Sequence, residues 1–195
     1  MLILTRSDLE SLVDTDATID SLRETLSRQG DSAVTVAPNA MRLEDDSAYV
    51  PMLGADLDAG IVTSKTLMDS PKNASRGLPS QRSAITVIDP STGAVTAILH
   101  GGVPTRVRTA GVSAVATDAL ARPEASVLGL IGAGALAVEH VRAVHRVRPL
   151  DAVVVWSRTR ESVQRFHAQL EKVWNDDTMP RVSSASSPED VIARG

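Results

Sequence analysis

Residues 126–137 join an apolar run to a glycine-rich turn, Gly-Ala-Gly-Ala-Leu-Ala, which leads into a helical pattern. A dinucleotide-binding βαβ unit has this arrangement, with Gly132 allowing a tight turn and Gly134 letting the backbone approach a pyrophosphate. Ala137 would keep helix and strand close, and the helix N-terminus would offer N–H groups to the phosphates. The second buried strand that the unit requires is present at residues 151–156. The alternative is a glycine turn between strand and helix that binds nothing.

The end of this second strand carries hydroxyl and guanidinium groups in place of an acid. NAD-specific enzymes usually have Asp or Glu there to hold the ribose hydroxyls, whereas this chain has Ser-Arg-Thr-Arg at residues 157–160. Ser157 can donate a hydrogen bond to a phosphate oxygen and Arg158 can pair with the phosphate charge. The pattern favours NADP(H) over NAD(H). The alternative is that Ser157 or Thr159 only caps the helix that follows.

Lys65 lies inside an otherwise apolar strand, on the same face as Leu67 if the side chains alternate. A buried ammonium there needs an anionic partner or a shifted pKa, and a substrate carboxylate would serve as that partner. The alternative is a lysine that extends to solvent from an edge strand.

Arg108 is predicted in the first turn of a helix that runs from Thr105 to about Leu120. Backbone N–H groups, hydroxyls and the guanidinium would converge there on a carboxylate or a phosphate. The alternative is a solvated arginine at an exposed helix end.

Composition excludes several classes of protein. At 195 residues and 43% hydrophobic content the chain should fold, while a net charge of −4 and 2% aromatic residues make nucleic acid an unexpected partner. The absence of cysteine excludes disulfides and thiolate sites. No GxSxG elbow supports a serine hydrolase.

No basic leader or apolar run of about 18 residues indicates a membrane, so a cytoplasmic protein is expected. No metal is expected, because the histidines lack metal-ligand spacing; they are His100, His140, His145 and His167.

Periodicity predicts a helix over residues 16–30, followed by a mainly β region. The β-rich runs are 32–37, 48–53, 60–67, 83–89 and 94–99, with an irregular polar loop at 69–80. After the 105–120 helix come strand 126–131, helix 135–146, strand 152–157, helix 160–173, a strand near 181–184 and a helix start at Ser187. These elements predict an α/β protein: an N-terminal α+β domain over 1–124, then the first half of a Rossmann-type parallel sheet over 125–195.

Six segments together resemble the ornithine cyclodeaminase/mu-crystallin family in order and spacing. They are Lys65, residues 71–73 (Pro-Lys-Asn), 77–80 (Gly-Leu-Pro-Ser), the turn at 89–93, residues 104–110 (Pro-Thr-Arg-Val-Arg-Thr-Ala) and the Gly-Ala-Gly turn at 132–134. The resemblance covers essentially all 195 residues. Its most specific part is the Arg-Thr-Ala segment a short helix upstream of the glycine turn.

The resemblance implies a homodimer whose N-terminal domain mediates dimerisation and carries the substrate. It implies that Arg42, Lys65 and Arg108 bind the substrate carboxylate, with Lys65 also the catalytic candidate. The implied cofactor-binding residues are Ser80, Arg108, Gly132, Gly134, Ala135, Leu136, Ser157 and Arg158. Leu136 departs from the glutamine common in the family, which removes one possible polar contact.

The implied activity belongs to amino-acid metabolism: reduction of a small cyclic imine (a ketimine), or oxidation of a small amino acid. A cyclodeaminase that recycles its NAD internally is one alternative. Family chains are longer, and their catalytic Asp comes from the second half of the Rossmann domain, so this chain is expected to be truncated at its C-terminus and to lack that residue. The other alternative is therefore a catalytically inactive binding or dimerising protein.

Overall fold

The structure, a computed structural model, describes residues 1–174 and 178–195. These residues form two compact units, Met1–Val13 with Arg23–Thr105 and Asp14–Leu22 with Arg106–Gly195. The boundary predicted between residues 124 and 125 lies inside the second unit, because a helix that precedes it packs into that unit's core through Ala110 and Ala114. No helix in the described ranges combines the length and apolar character needed to cross a membrane.

The first unit is built on a mainly antiparallel sheet. Its strands are β1 (Leu2–Leu4), β2 (Ala33–Val36), β3 (Met41–Arg42), β4 (Ala48–Asp56), β5 (Ile61–Asp69), β6 (Gln81–Ile88) and β7 (Val95–His100). Among the described residues the strand order is β1-β7-β6-β5-β4-β2, and β3 pairs with β4. Strand β1 runs parallel to β7. Two helices, α1 (Arg6–Leu12) and α2 (Thr15–Ser27), lie between β1 and β2 in the chain.

The turn between β6 and β7 shows why a predicted hairpin forms. The Asp89 carboxylate accepts hydrogen bonds from the Ser91 N–H at 2.8 Å, the Ser91 hydroxyl at 2.7 Å and the Thr92 hydroxyl at 2.9 Å. These bonds, those from Ser91 foremost, hold the pKa of Asp89 below its ordinary value. Gly93 then takes a φ of 71°, which glycine adopts without steric cost.

The second unit alternates helices with the strands of a parallel sheet. Its elements are α3 (Gly102–Leu120), β8 (Val127–Ile131), α4 (Ala135–Val147), β9 (Ala152–Trp156), α5 (Arg160–Val173), β10 (Arg181–Ser184) and α6 (Pro188–Arg194). In the described residues the sheet order is β10-β9-β8, all parallel. Buried Val153 and Val155 of β9 share a core with Val141 of α4 and Phe166 of α5. The predicted half of a Rossmann-type sheet is therefore confirmed.

Helix α3 begins at Gly102, three residues before its predicted start at Thr105. The Thr105 N–H already donates to the Gly101 carbonyl at 3.1 Å. Pro104 fits this turn because the first four N–H groups of a helix have no intrahelical acceptor. The prediction that Arg108 lies in the first turn is therefore wrong: it lies in the second turn, where backbone N–H groups bond within the helix.

Other short elements were not predicted. The loop at 69–80, expected to be irregular, contains a 3-10 helix at Pro71–Arg76 that ends at Gly77, with a φ of 67°. A second 3-10 helix spans Glu44–Asp46. Strands β1 and β3 and helix α1 are also absent from the sequence-based assignment, because two- to seven-residue elements carry little periodicity.

Candidate functional site

The glycine turn after β8 is joined to the end of β9. Gly132 has a φ of 117°, a backbone conformation that is strained for residues with a side chain. Its N–H donates to the Trp156 carbonyl at 2.8 Å. This bond places the start of the turn beside the last residue of β9. Ser157 follows directly in the chain, so the two segments predicted to hold pyrophosphate and ribose lie together.

Glycines in this unit serve two different purposes. A Cβ built on Gly129 would come within 2.9 Å of Val191 Cγ1, so Gly129 is required by the packing of α6 on β8. A Cβ on Gly134 would meet no atom within 4 Å, although Gly134 caps the N-terminus of α4. Glycine has no side chain that could cap the helix, and the first-turn N–H groups of α4 face the same end of the helix. The open space at Gly134 therefore fits an anionic ligand such as a pyrophosphate.

A cavity of about 240 Å³ lies at this turn. Of the described residues, those lining it are Ala133, Gly134, Ala135, Ser157, Ser162, Arg165 and Gln169. Three predicted cofactor residues, Gly134, Ala135 and Ser157, are thus brought together. Gly132 and Leu136 are exposed beside the cavity without lining it.

Helix α5 supplies three lining residues that the sequence reasoning missed. Ser162, Arg165 and Gln169 recur at the spacing of one helix face, so the helical pattern of residues 160–173 could show that they share a face but not that this face meets the glycine turn. Arg158, the predicted phosphate ligand, is exposed and is not one of the described lining residues. Among the described lining residues, the one cation is therefore Arg165.

Hydroxyl groups order the start of α5. The Ser162 N–H donates to Thr159 Oγ1 at 3.3 Å, so Thr159 is the cap of α5. Ser162 Oγ lies 2.8 Å from Thr159 Oγ1 and accepts a 3.1 Å hydrogen bond from Arg165 Nη2. Ser157, which is half-buried, lines the same cavity. A guanidinium and two hydroxyls, those of Ser157 and Ser162, therefore lie at one cavity.

Helix α3 is bonded to the helix that follows the glycine turn. Ser113 Oγ lies 3.0 Å from His140 Nε2, and the other ring nitrogen of His140 lies 2.8 Å from the Leu136 carbonyl. Arg106 Nε lies 3.7 Å from the largely buried Glu139 carboxylate. Arg108 is exposed on the same helix. These contacts fix the helix that carries Arg108 relative to α4.

The remaining predicted residues belong to the first unit. The Lys65 ammonium donates to Thr105 Oγ1 at 2.8 Å. Arg42 pairs with Ala48, which pairs with Asp69, and this register places Arg42 on the same face of the sheet as Lys65. Arg42 and Ser80 are exposed, whereas Lys65 is half-buried. Lys65 is therefore on an interior strand beside polar groups and does not extend to solvent from an edge.

Two curated relatives share part of this sequence. A ketimine reductase mu-crystallin from Rattus norvegicus is 33% identical over 122 residues, which cover 63% of this chain and 38% of that protein. An L-lysine cyclodeaminase from Streptomyces rapamycinicus is 39% identical over 110 residues, which cover 56% of this chain and 32% of that protein.

A solved structure is similar to almost the whole chain. The Delta(1)-pyrroline-2-carboxylate reductase of Thermococcus litoralis, in complex with NADH and L-proline, matches with a TM-score of 0.90 and 28% identity over 98% of this chain. The chain spans 58% of that protein. The predicted α/β fold class is confirmed by this likeness. The family model for the ornithine cyclodeaminase/mu-crystallin family matches residues 1–195, and the chain therefore belongs to that family, as the order and spacing of its motifs predicted.

Proposed function

We propose that the protein is an NAD(P)-dependent oxidoreductase that reduces a small cyclic imine or oxidises a small amino acid. The observation that carries the proposal is the cavity at the open Gly134 turn, bounded by Ser157 at the end of β9. The family relatives support it, since one is named a ketimine reductase and another was solved with NADH and L-proline.

In this proposal the cations bind the carboxylate that small amino acids and their cyclic imines share. Lys65 and Arg42 lie on one face of the first sheet, and Arg108 lies on α3. Together they would hold the carboxylate and so orient the carbon that changes oxidation state. Ser80 is proposed to lie near the cofactor. The nicotinamide, when bound, supplies or accepts the hydride.

Binding of adenine nucleotides to the purified protein tests the cofactor site without requiring turnover. Titration calorimetry with 5'-AMP and NADH should give saturable binding that the Gly134→Ala variant weakens, because its methyl group would occupy the open space at the turn. Absence of binding to the wild-type protein would refute the proposed function. Consumption of NADPH with Delta(1)-pyrroline-2-carboxylate, followed by the absorbance of reduced nicotinamide, tests the reaction itself.

We further propose that NADP(H) is preferred over NAD(H). No acid is among the described residues that line the cavity, while Ser157, Ser162 and Arg165 offer hydrogen-bond donors to a ribose 2'-phosphate. Charge-assisted hydrogen bonds contribute about 1.5–3 kcal/mol each, and because Arg165 is exposed, screening by water puts its contribution at the lower end of this range.

Comparing 2',5'-ADP with 5'-AMP isolates that phosphate. The wild-type protein should bind 2',5'-ADP roughly tenfold more tightly, and Arg165→Ala should remove most of the difference. Arg158→Ala tests the residue that the sequence predicts to pair with the 2'-phosphate. Arg160→Ala, at the start of α5, is the matched control for the loss of one arginine. Equal affinity of the wild-type protein for both nucleotides would refute the preference for NADP(H).

A cyclodeaminase is the second candidate, because the Streptomyces relative is an L-lysine cyclodeaminase. Such an enzyme oxidises the amine, releases ammonia on cyclisation and returns the hydride, so the reduced cofactor does not accumulate. Conversion of ornithine or lysine to a cyclic amino acid with no net change in nicotinamide absorbance would favour this candidate over the reductase.

A homodimer is proposed from one face of the first unit's sheet. The face opposite Lys65 exposes large apolar side chains, here called the apolar face; its members are Ile3, Val34, Val36, Met41, Tyr49 and Leu53. Large exposed apolar side chains that share one face of a sheet are typical of association sites in soluble proteins. A second copy of the chain that buries this face would explain its composition.

A further inference from the structure

The Lys65 ammonium is held by a threonine forty positions along the chain. Lys65 occupies the middle of β5, where its register partners are Met52 on β4 and Ile85 on β6. Its Nζ donates to Thr105 Oγ1 at 2.8 Å. A lysine ammonium is a mobile group on a flexible stem, so a fixed acceptor restricts it substantially.

The Thr105 hydroxyl can act toward Lys65 only as an acceptor. It has one proton, and that proton is directed at the Gly101 carbonyl, 2.5 Å away. Two hydrogen bonds therefore run in series: the Lys65 ammonium donates to the Thr105 hydroxyl, which donates to the Gly101 carbonyl. The donor and the acceptor of each bond are unambiguous, because an ammonium only donates and a carbonyl only accepts.

Gly101, the last acceptor in this series of hydrogen bonds, is itself bonded to the sheet. Its N–H donates to the Ser83 carbonyl at 2.8 Å, and Ser83 pairs with Leu67 on the face that carries Lys65. A Cβ on Gly101 would lie 2.9 Å from the Ser83 carbonyl carbon, so only glycine permits this approach. The ammonium is thus tied through Thr105 to the same sheet that supports its own backbone.

We propose that Thr105 is a positioning residue that orients the Lys65 ammonium for a substrate carboxylate; this inference rests on the proposed function. Because the three N–H bonds rotate together about the Cε–Nζ bond, fixing one of them fixes the directions of the other two. The side-chain entropy of the lysine is then lost on folding and not on substrate binding. Thr105 acts through Lys65 and is not itself assigned a contact with substrate.

A merely structural threonine is available for comparison in the same helix. Thr117 Oγ1 donates to the Ser113 carbonyl four residues earlier at 2.7 Å, the same local bond that Thr105 makes to Gly101. Thr117→Val is therefore the matched control for Thr105→Val. Thr105→Ser keeps the hydroxyl and should restore what Thr105→Val removes.

The first measurement follows the ammonium directly. The sequence contains three lysines, Lys65, Lys72 and Lys172, so protein labelled with nitrogen-15 lysine should give three ammonium signals, assigned by replacing each lysine with arginine. Proton exchange at Lys65 should be roughly fivefold faster in Thr105→Val, and should stay near wild type in Thr105→Ser and Thr117→Val. An unchanged exchange rate at Lys65 in Thr105→Val overturns the inference.

The second measurement is binding of L-proline in the presence of NADH. Thr105→Val should weaken this binding roughly fivefold while 5'-AMP binding stays at the wild-type value, and Thr105→Ser should remain within about twofold of wild type. Unchanged L-proline affinity in Thr105→Val overturns the inference and leaves the proposed function intact. If the wild-type protein binds neither L-proline nor 5'-AMP, both the inference and the proposed function are overturned.

Discussion

The Gly132 amide donates a 2.8 Å hydrogen bond to the Trp156 carbonyl, which joins the turn after β8 to the last residue of β9. Through this bond the backbone conformation of one glycine sets where Ser157 enters the cavity. Strain or displacement at Gly132 should therefore change stability and nucleotide binding together, whereas a change at Gly134 should act mainly on binding.

Gly132→Ala should destabilise the second unit by about 1–3 kcal/mol, because alanine must adopt a φ of 117° or break the bond to Trp156. Urea denaturation followed by circular dichroism measures this loss. Gly134→Ala should cost less, about 0.5–1 kcal/mol, because alanine is a poorer N-cap than glycine while a φ of −88° and a Cβ that meets no atom add no strain. A stability loss of equal size in both variants would contradict the division of roles between the two glycines.

Phe166→Ala should cost about 3–5 kcal/mol, since the ring is fully buried among α4, α5 and β9. A loss of this size is a large share of the stability of an ordinary domain. Gln164→Ala is the matched control, because Gln164 is exposed on the same helix and alanine favours helix. Calorimetric melting of both variants tests the prediction, and a Phe166→Ala cost below about 1 kcal/mol would contradict the burial of Phe166 in the core of the second unit.

Asp56→Asn should reduce the stability of the first unit in a pH-dependent way. Asp56 accepts hydrogen bonds from the Ala59 N–H at 3.1 Å and from Arg28 Nη2 at 2.6 Å. The Ala59 bond first, and then Arg28, hold the pKa of Asp56 below its ordinary value of 3.8. The carboxylate therefore stabilises the fold above that value, and the stabilisation is lost as pH falls through the lower, folded-state pKa.

Thermal melts between neutral pH and about pH 2 check this sign. The wild-type protein should melt higher than Asp56→Asn at neutral pH, and the two curves should converge in acid. Asp58→Asn should have a smaller effect, because the Asp58 side chain is 60% exposed and water screens its ion pair with Arg28. A constant difference between wild type and Asp56→Asn across the whole range would refute the assignment.

Leu53→Asp should convert a dimer to a monomer, because it places a charge in the apolar face, where Leu53 is 46% exposed. Sedimentation velocity on the purified protein measures the change. Leu57→Asp is the control: Leu57 is 61% exposed but lies in the turn after β4, outside the apolar face. A wild-type protein that sediments as a monomer, or a Leu57 variant that dissociates equally, would count against a dimer through this face.

The sequence by itself determined the parallel half-sheet and its glycine turn. Helices α4 and α5 and strands β8, β9 and β10 were predicted to within about two residues, because their periodicity and caps are local properties of the chain. Local signals predicted Gly134 and Ser157 as cofactor-binding residues, and the family resemblance added Ala135; the structure places all three around one cavity. Local signals also placed Lys65 on an apolar strand, since alternation is visible without knowing the strand's partners.

Only the tertiary structure decided which distant residues complete these sites. Strand register, set by pairing across three strands, put Arg42 on the face of Lys65. Packing of α5 beside the glycine turn brought Arg165 to the cavity in place of Arg158. The close approach of Gly101 to β6 started α3 early and so delivered Thr105 to Lys65. Each of these depends on contacts between segments far apart in sequence, which no local pattern of residue types can specify.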